Sequence, residues 1–287
     1  MRVLLTGAGG QLAADLQSCL RSDDLIPLPH AELDITNPAA VRAQMARHRP
    51  DCIINGAAYN RVDDAEDHPD EAFAVNAVGV ELLARAAAAA GAVLVHFSTD
   101  YVFDGTKRTP YVETDAPNPQ SVYALSKRAG EIFVEQHCRE YFLIRTCGLY
   151  GQAGNRSKGG NFVERMLRLA QEGKPLRVVN DQVLAPTSTR DLAEKLAPLI
   201  RTDRYGLYHM TNTGECSWYE FAREAFGLAG LSADLRPVSS AEFGARARRP
   251  PYSVLDNAAY RAAGFPDFRP WQDALADYLK QRQQARV

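Results

Sequence analysis

The sequence predicts an α/β protein: a doubly wound parallel sheet with a smaller C-terminal α/β lobe that covers a substrate site. Three observations predict it. Through the first 150 residues, short apolar runs alternate with helical patterns at the spacing of parallel βαβ units. The first run, Val3-Leu4-Leu5, leads straight into Thr6-Gly7-Ala8-Gly9-Gly10 and then a helical pattern with Leu12, Leu16 and Leu20 four apart. Beyond residue 150 the alternation becomes irregular, as expected where a sheet is finished and a covering lobe begins.

Strand, tight turn and helix at the N-terminus form a nucleotide turn of Rossmann type. Gly7 suits the turn, and Gly10 lets a pyrophosphate approach the main-chain N–H groups at the helix start, where the dipole favours an anion. Ala13 stands where a third glycine packs against the strand. Residues 25–28 read as a second strand, and Asp34-Ile35-Thr36-Asn37-Pro38 as a loop and helix cap, with Pro38 suited to the first turn. Residues 51–55 are a third strand, followed by a helix over about 71–90. Residues 92–97 are a fourth strand ending at Ser98-Thr99, and 141–145 a fifth before Thr146. Ligands bind such sheets outside the carboxyl ends of the strands. Residues 7–10, 55–59, 98–100 and 145–147 all fall there. A polar Gly-rich insert at 151–160, a helix over about 161–172 and a returning helix in the 190s come next. The expected division is therefore a dinucleotide-binding domain at 1–150, with a return segment about 187–205, and a lobe made of 151–186 and 206–287. A cleft between two such bodies is a common place for a small molecule.

Composition narrows the function. With 287 residues, 46% of them hydrophobic, the chain can bury a large core, and a net charge of −2 gives no basis for binding nucleic acid or a membrane surface. Its most apolar longer window, near residues 86–95, is shorter than the ~20 residues that span a bilayer. Cys19, Cys52, Cys138, Cys147 and Cys216 have no metal-ligand spacing and suggest reduced thiols in a cytoplasmic protein. No metal is expected.

Tyr123 and Lys127 stand four apart in Ser121-Val-Tyr-Ala-Leu-Ser-Lys127, so a helix puts them on one face. A cation beside the phenol in a poorly solvated pocket is expected to lower its pKa from ~10, by one unit for each 1.4 kcal/mol. Such a phenol exchanges a proton with a carbonyl or alcohol near neutral pH. His96, on a predicted buried strand, is expected to be structural.

Further strings are Asn55-Gly-Ala-Ala-Tyr59, Val62-Asp-Asp-Ala-Glu66, Ser98-Thr-Asp-Tyr-Val-Phe-Asp-Gly105, Asn180-Asp-Gln-x-x-x-Pro186-Thr187 and Gly206-Leu-Tyr-His209. Ser217-Trp-Tyr-Glu-Phe221 and Arg248-Arg-Pro250 complete the set. With Thr6-Gly7-x-x-Gly10 and Tyr123-x-x-x-Lys127, they make the chain resemble the extended short-chain dehydrogenase/reductase family, most closely its dTDP-4-dehydrorhamnose reductase branch. The resemblance runs over nearly the whole chain, and Ser-Thr-Asp-Tyr-Val-Phe is its most specific string.

The resemblance implies reduction of the C4 ketone of a nucleotide-linked 4-keto-6-deoxysugar by NADPH or NADH. In it Tyr123, Lys127 and Thr99 are catalytic. The cofactor is contacted by Gly7, Gly10, Gln11, Leu12, Asp34, Ile35, Ala57, Ala58, Tyr59, Asn76, Tyr123, Lys127 and Thr146. Thr99, Asp100, Tyr101, Gln182 and Arg249 contact the substrate, and a homodimer is possible. The chain departs from the branch at Gly148, where Trp is usual, and at Asn60, where Thr is usual. Pro29-His30 carries neither the acid that favours NAD nor an Arg that favours NADP. Arg190 occupies a position where a metal-bridged dimer would need an acid. Alternatives are a nucleotide-sugar epimerase or dehydratase, disfavoured because Tyr101 rather than Glu follows Asp100, and a regulatory subunit resembling the beta subunit of methionine adenosyltransferase.

Overall fold

A computed structural model of the chain describes residues 1–153 and 160–284, so most of the insert expected at 151–160 lies outside the described residues. In chain order the elements are β1 (Arg2–Thr6), α1 (Gln11–Cys19), β2 (Asp24–Leu28), α2 (Pro38–His48), β3 (Cys52–Asn55), α3 (Asp64–Asp67) and α4 (Pro69–Phe73). A π-helical turn (Ala74–Val78) joins α4 to α5 (Gly79–Ala90). Then come β4 (Val93–Thr99), a 3-10 turn (Asp100–Val102), α6 (Val122–His137) and β5 (Tyr141–Thr146). After these are α7 (Phe162–Gln171), β6 (Leu176–Val179), β7 (Val183–Leu184), α8 (Thr189–Leu199), β8 (Gly206–His209) and β9 (Cys216–Ser217). The chain closes with α9 (Trp218–Ala229), β10 (Leu235–Val238), α10 (Ser240–Phe243), α11 (Ala258–Ala262) and α12 (Trp271–Gln284).

Six parallel strands form the main sheet in the order β2-β1-β3-β4-β5-β8. The order reverses between β1 and β3, which is the switch point where a crevice opens at the strand ends. Because helices cover both faces, the strands are apolar runs whose side chains alternate between two cores. Val3, Leu5, Ile54, Val95 and Ile144 face Leu12 and Leu16 of α1 and Leu192 and Leu196 of α8. Leu4, Ile53 and Leu94 face Val41 of α2, Val80 and Leu83 of α5, and Val134 of α6.

The boundary expected at residue 206 shifts. Gly206–His209 is the sixth strand of the main sheet, pairing Phe142 with Gly206 through Arg145 with His209. Tyr260 and Phe268, far along the chain, also pack into the main core, and the Tyr260 hydroxyl donates to the Lys195 carbonyl at 3.0 Å. Four residues make too short a run to separate from a loop by pattern, and pairing to β5 is what defines them. The remaining segments build a second core from Tyr150, Val163, Leu167, Phe221, Trp271 and Leu275, flanked by the small sheets β10-β6 and β7-β9.

The helix expected from residue 71 begins earlier and is interrupted by the π turn. Pro69–Ala90 as a whole is 22 residues long and apolar enough to cross a membrane, contrary to the window read from sequence. Its Val80, Leu83, Ala84 and Ala87 are instead buried in the helix-side core.

One charged pair ties α6 to β5 inside the core. Glu131 and Arg145 are both almost wholly buried and meet through two parallel bonds, Nε to Oε1 at 2.9 Å and Nη2 to Oε2 at 2.8 Å, while Arg128 adds a third at 2.8 Å. Burial pushes the Glu131 carboxyl upward, but the Arg145 bonds and charge outweigh it and hold the group below its usual range. Removing one partner of a buried pair strands the other charge, at a cost of about 3–5 kcal/mol. Glu131→Gln should therefore lower the unfolding free energy by about that amount in urea denaturation; a loss below about 1 kcal/mol would mean that water reaches the Arg145 guanidinium.

Candidate active site

The site is built where strand ends meet. Gly7 lies in the left-handed region (φ 63°), and a Cβ on it would sit 2.7 Å from the main chain of Gly56 and Ala57. Gly56 is as tight, with its Cβ position 2.8 Å from the Thr6 carbonyl oxygen. The turns after β1 and β3 touch through glycine alone. Gly10 donates its N–H to the Gly7 carbonyl at 2.9 Å and takes the N-cap of α1. No side chain caps α1 and no acid stands in its first turn, so its free N–H groups and positive dipole end face the crevice. Ala13 is buried against the sheet, as its small size requires.

Across the next strand ends the polar groups are spoken for. The Thr6 hydroxyl donates to the Asn55 side-chain oxygen at 2.7 Å, and the Asn55 amide reaches His96 Nδ1 at 3.1 Å. Asn76 sits in the π turn, a form of helix that often marks a functional position. Its oxygen accepts the Tyr59 N–H at 2.9 Å, and its amide donates to the Tyr59 carbonyl at 2.8 Å and to the Ser126 hydroxyl at 3.0 Å. Ser126 in turn donates to the Tyr123 carbonyl at 2.7 Å. Asn76 is 1% exposed and supports the rim from behind. Gly130 makes this possible, because a Cβ there would lie 2.3 Å from the Asn76 carbonyl oxygen. Neither Gly130 nor Ser126 was singled out in the sequence; no local pattern marks a glycine required by a neighbouring helix.

Tyr123 and Lys127 rise from the first turns of α6, whose N-terminus is capped by Ser121 and held by Glu66 accepting the Val122 N–H at 2.9 Å. Thr99 ends β4, and its hydroxyl donates to Asp100 Oδ1 at 3.0 Å and accepts the Tyr101 N–H at 3.2 Å. That hydroxyl also stands in hydrogen-bonding relation to the Tyr123 phenol. The phenol itself is not lowered, contrary to expectation. Burial pushes it up, the Asp100 charge pushes it further, and only the Thr99 bond opposes them. Lys127 turns inward instead, donating to the Phe97 carbonyl at 2.6 Å with His96 Nε2 at 3.5 Å. Burial lowers its pKa to about 8, against the charge of Glu131.

Several of the expected contact residues also bond within the protein. Asp100 is 2% exposed, and its carboxylate accepts from Ser253 at 2.6 Å, Cys147 at 3.0 Å and Thr99, which makes its side chain a structural hub. Ile35 is 2% exposed and its side chain lies where a Cβ on Gly79 would fall. Asp34 closes its own turn by accepting the Thr36 N–H and hydroxyl, which hold its carboxyl below the usual range. Arg249 pairs with Asp63 through bonds of 3.0 and 2.7 Å beside Tyr101, and is therefore tied to the rim rather than solvated. Gln182 is buried and donates to Ser240 at 2.8 Å, within the second core's own turns. Gly148 takes φ 53°, and a Cβ there would meet Leu184 at 3.0 Å, Pro186 at 3.3 Å and the Trp218 ring at 3.6 Å. A side chain there would sit on a strained backbone and need Leu184 and Pro186 to give by a few tenths of an ångström.

A dinucleotide fits the residues that remain. Gln11 Oε1, the Tyr59 hydroxyl and Thr146 Oγ1 are buried without a partner among the described residues, although such atoms are normally satisfied. All three were assigned to a cofactor, and Leu12, Ala57 and Ala58 lie on the same turns. No group of three His, Cys, Asp or Glu residues suited to a metal occurs among the described residues.

The family profile described as RmlD substrate binding domain matches residues 1–284. The spore coat polysaccharide biosynthesis protein SpsK of Bacillus subtilis is 40% identical over 99% of both chains. A dTDP-4-dehydrorhamnose reductase of Streptomyces griseus is 42% identical over 96% of this chain and 92% of its own. The crystal structure of dTDP-4-dehydrorhamnose reductase from Bacillus anthracis in complex with NADP superposes with a TM-score of 0.94 at 42% identity, covering 98% of this chain and 99% of that one.

The Asn76 bonds give a test of how the rim is held. Asn76→Ala should leave the Tyr59 N–H and carbonyl unpaired and cost about 1–3 kcal/mol in thermal or urea unfolding; an unchanged midpoint would show that the Tyr59 main chain finds water instead.

Proposed function

The chain belongs to the RmlD substrate binding domain family and to the dTDP-4-dehydrorhamnose reductase branch of the extended short-chain dehydrogenase/reductases, and on that footing we propose how its strand-end site works. It is an NAD(P)H-dependent oxidoreductase that reduces the C4 ketone of a nucleotide-linked 4-keto-6-deoxysugar, dTDP-4-dehydrorhamnose, to the alcohol of dTDP-rhamnose. The observation that carries the reading is the Thr99 hydroxyl beside the Tyr123 phenol, next to a glycine turn that leaves an anion site open.

NADPH or NADH supplies hydride to the ketone carbon when bound. Gly7, Gly10, Gln11, Leu12, Ala57, Ala58, Tyr59 and Thr146 would hold it, with Lys127 and Tyr123 beside its nicotinamide half. Tyr123 gives its proton to the ketone oxygen as negative charge develops there. A phenol held above its ordinary pKa stays protonated through neutral pH, which suits a donor. Thr99 hydrogen-bonds the same oxygen, so charge forming in the transition state meets placed donors. Tyr101 and Arg249 line the neighbouring rim and serve the nucleotide sugar.

The burial of Asp100 favours reduction over elimination. A dehydratase needs a free acid after the catalytic Thr, whereas this carboxylate faces Ser253 and Cys147. The second core, built from parts of 151–186 and the chain beyond β9, acts as the substrate-covering lobe. Leu125 and Ile132 of α6 and Val78 beside it are exposed apolar side chains on one helical face, which supports a homodimer through that face. A cytoplasmic location accords with five free cysteines.

Tyr123→Phe should lower kcat for NADPH-dependent reduction of dTDP-4-dehydrorhamnose by about 10²–10⁴-fold, with NADPH affinity kept within a fewfold of wild type. The measurement is NADPH oxidation matched to alcohol formed. An unaffected rate would remove Tyr123 from the mechanism, and turnover without net oxidation would replace the reductase with an epimerase or dehydratase.

A further inference from the structure

Ser253, 3% exposed, lies on a strap of residues 250–256 laid between the second core and the loop that follows β4. Main-chain bonds hold both of its edges. On one, the Val183 N–H meets the Pro251 carbonyl at 2.9 Å and the Ser253 N–H returns to the Val183 carbonyl at 2.8 Å. On the other, the Tyr111 N–H meets the Val254 carbonyl and the Asp256 N–H meets the Tyr111 carbonyl, both at 2.8 Å. Gly105 lets the strap settle, since a Cβ there would fall 2.5 Å from Pro251. Val102, Phe103, Tyr252 and Leu255 pack the two segments into one apolar cluster. The Ser253 hydroxyl is thereby fixed 2.6 Å from Asp100 Oδ2, against 3.0 Å for the Cys147 and Thr99 contacts.

The donors divide unequally over the Asp100 carboxylate. Ser253 and Cys147 both meet Oδ2, whereas Thr99 meets Oδ1. Thr99 has one hydroxyl proton, and because its oxygen already accepts the Tyr101 N–H, that proton lies on Oδ1 at rest. For Thr99 to donate to a ketone oxygen, the same proton must turn about the Cβ–Oγ1 bond. The buried carboxylate then loses a donor, in surroundings where an unmet charge is costly.

We propose that Ser253 is a positioning residue for the reduction: by holding Asp100 Oδ2 together with Cys147, its hydroxyl keeps the buried carboxylate satisfied while Thr99 turns its single proton from Oδ1 to the ketone oxygen. Only that last step rests on the reductase reading. Ser253 touches neither substrate nor cofactor in this role and acts through Asp100 and Thr99. A hydroxyl is a stronger donor than a thiol, so most of the anchoring falls to Ser253 rather than Cys147.

The groups around Asp100 do not replace that bond. Burial pushes the phenols of Tyr101 and Tyr123 and the thiols of Cys147 and Cys216 upward, so all four are neutral. Arg249, at the entry to the strap, is paired with Asp63, and Lys127 of α6 bonds the Phe97 carbonyl. Tyr252, next to Ser253, gives its hydroxyl to Glu215 at 2.7 Å.

The first arm of the test is carbon-13 NMR of the full-length chain labelled at its aspartate carboxyls. The Asp100 signal is the one lost in Asp100→Asn, and Cys147→Ala, which removes the other Oδ2 donor, identifies it independently. Burial raises this carboxyl and the Ser253 bond opposes the rise. Ser253→Ala should therefore move its titration midpoint up by about one unit; an unmoved midpoint would overturn the proposal. The second arm is NADPH-dependent reduction of dTDP-4-dehydrorhamnose. Ser253→Ala should lower kcat about tenfold with KM for NADPH unchanged. Its acid limb should move to higher pH with the carboxyl, because the ionised form is then lost at a higher pH. Ser253→Cys, which restores a weaker donor, should fall between. A wild-type kcat in Ser253→Ala, or equal losses in both variants with the acid limb unmoved, would reduce Ser253 to a packing residue. Should the wild-type chain reduce no ketosugar, the reductase reading falls while the NMR arm still decides whether Ser253 holds Asp100.

Discussion

The structure depends on how a parallel sheet closes its polar accounts at the carboxyl ends of its strands. There the chain must turn, and the turns of β1 and β3 approach until only glycine fits at positions 7 and 56. Asn55 holds that approach together. One amide oxygen takes the Thr6 hydroxyl and the Ala57 N–H, and the amide nitrogen passes the chain on to β4 through His96. Asn76 does the same for the following loop from behind, clamping both main-chain groups of Tyr59 and reaching Ser126 beneath Tyr123. In a site shielded from water, a half-satisfied network costs more than an apolar one, so each member constrains the others.

That constraint explains why Tyr123 and Lys127, four residues apart on a helix, do not act as a simple ion-and-phenol pair. Lys127 is long enough to turn back onto β4, where the Phe97 carbonyl offers an acceptor that burial makes strong. The phenol is left between a buried carboxylate and the Thr99 hydroxyl. A protonated donor results, suited to the direction in which a ketone becomes an alcohol. The same spacing in another fold can give the opposite charge state, since spacing sets reach and surroundings set pKa.

Segments distant along the chain reach the site through the same rim. Ser253 and Cys147 bring two distant segments onto Asp100, and Asp63 draws Arg249 to the loop after β3. Gly148 marks where these pieces crowd, because Leu184, Pro186 and Trp218 fill the space around it. The change from the residue usual in the branch is thus accommodated by neighbours from other elements.

Much of this could be read along the chain. Short apolar runs and period-3.6 patterns located the first five strands and their helices, and the Gly7 turn, the Asn37-Pro38 cap and the convergence of four motifs on one rim follow from local chemistry. Motif strings carried the family and the reaction. What they could not carry was pairing. Whether residues 206–209 are lobe or sheet, whether Asp100 faces a sugar or Cys147, and whether Lys127 meets a phenol or His96 depend on contacts between residues dozens of positions apart. Sequence by itself determined which groups were present at the strand ends; tertiary structure decided which of them touch, because burial and hydrogen-bond direction are properties of neighbours in space rather than along the chain.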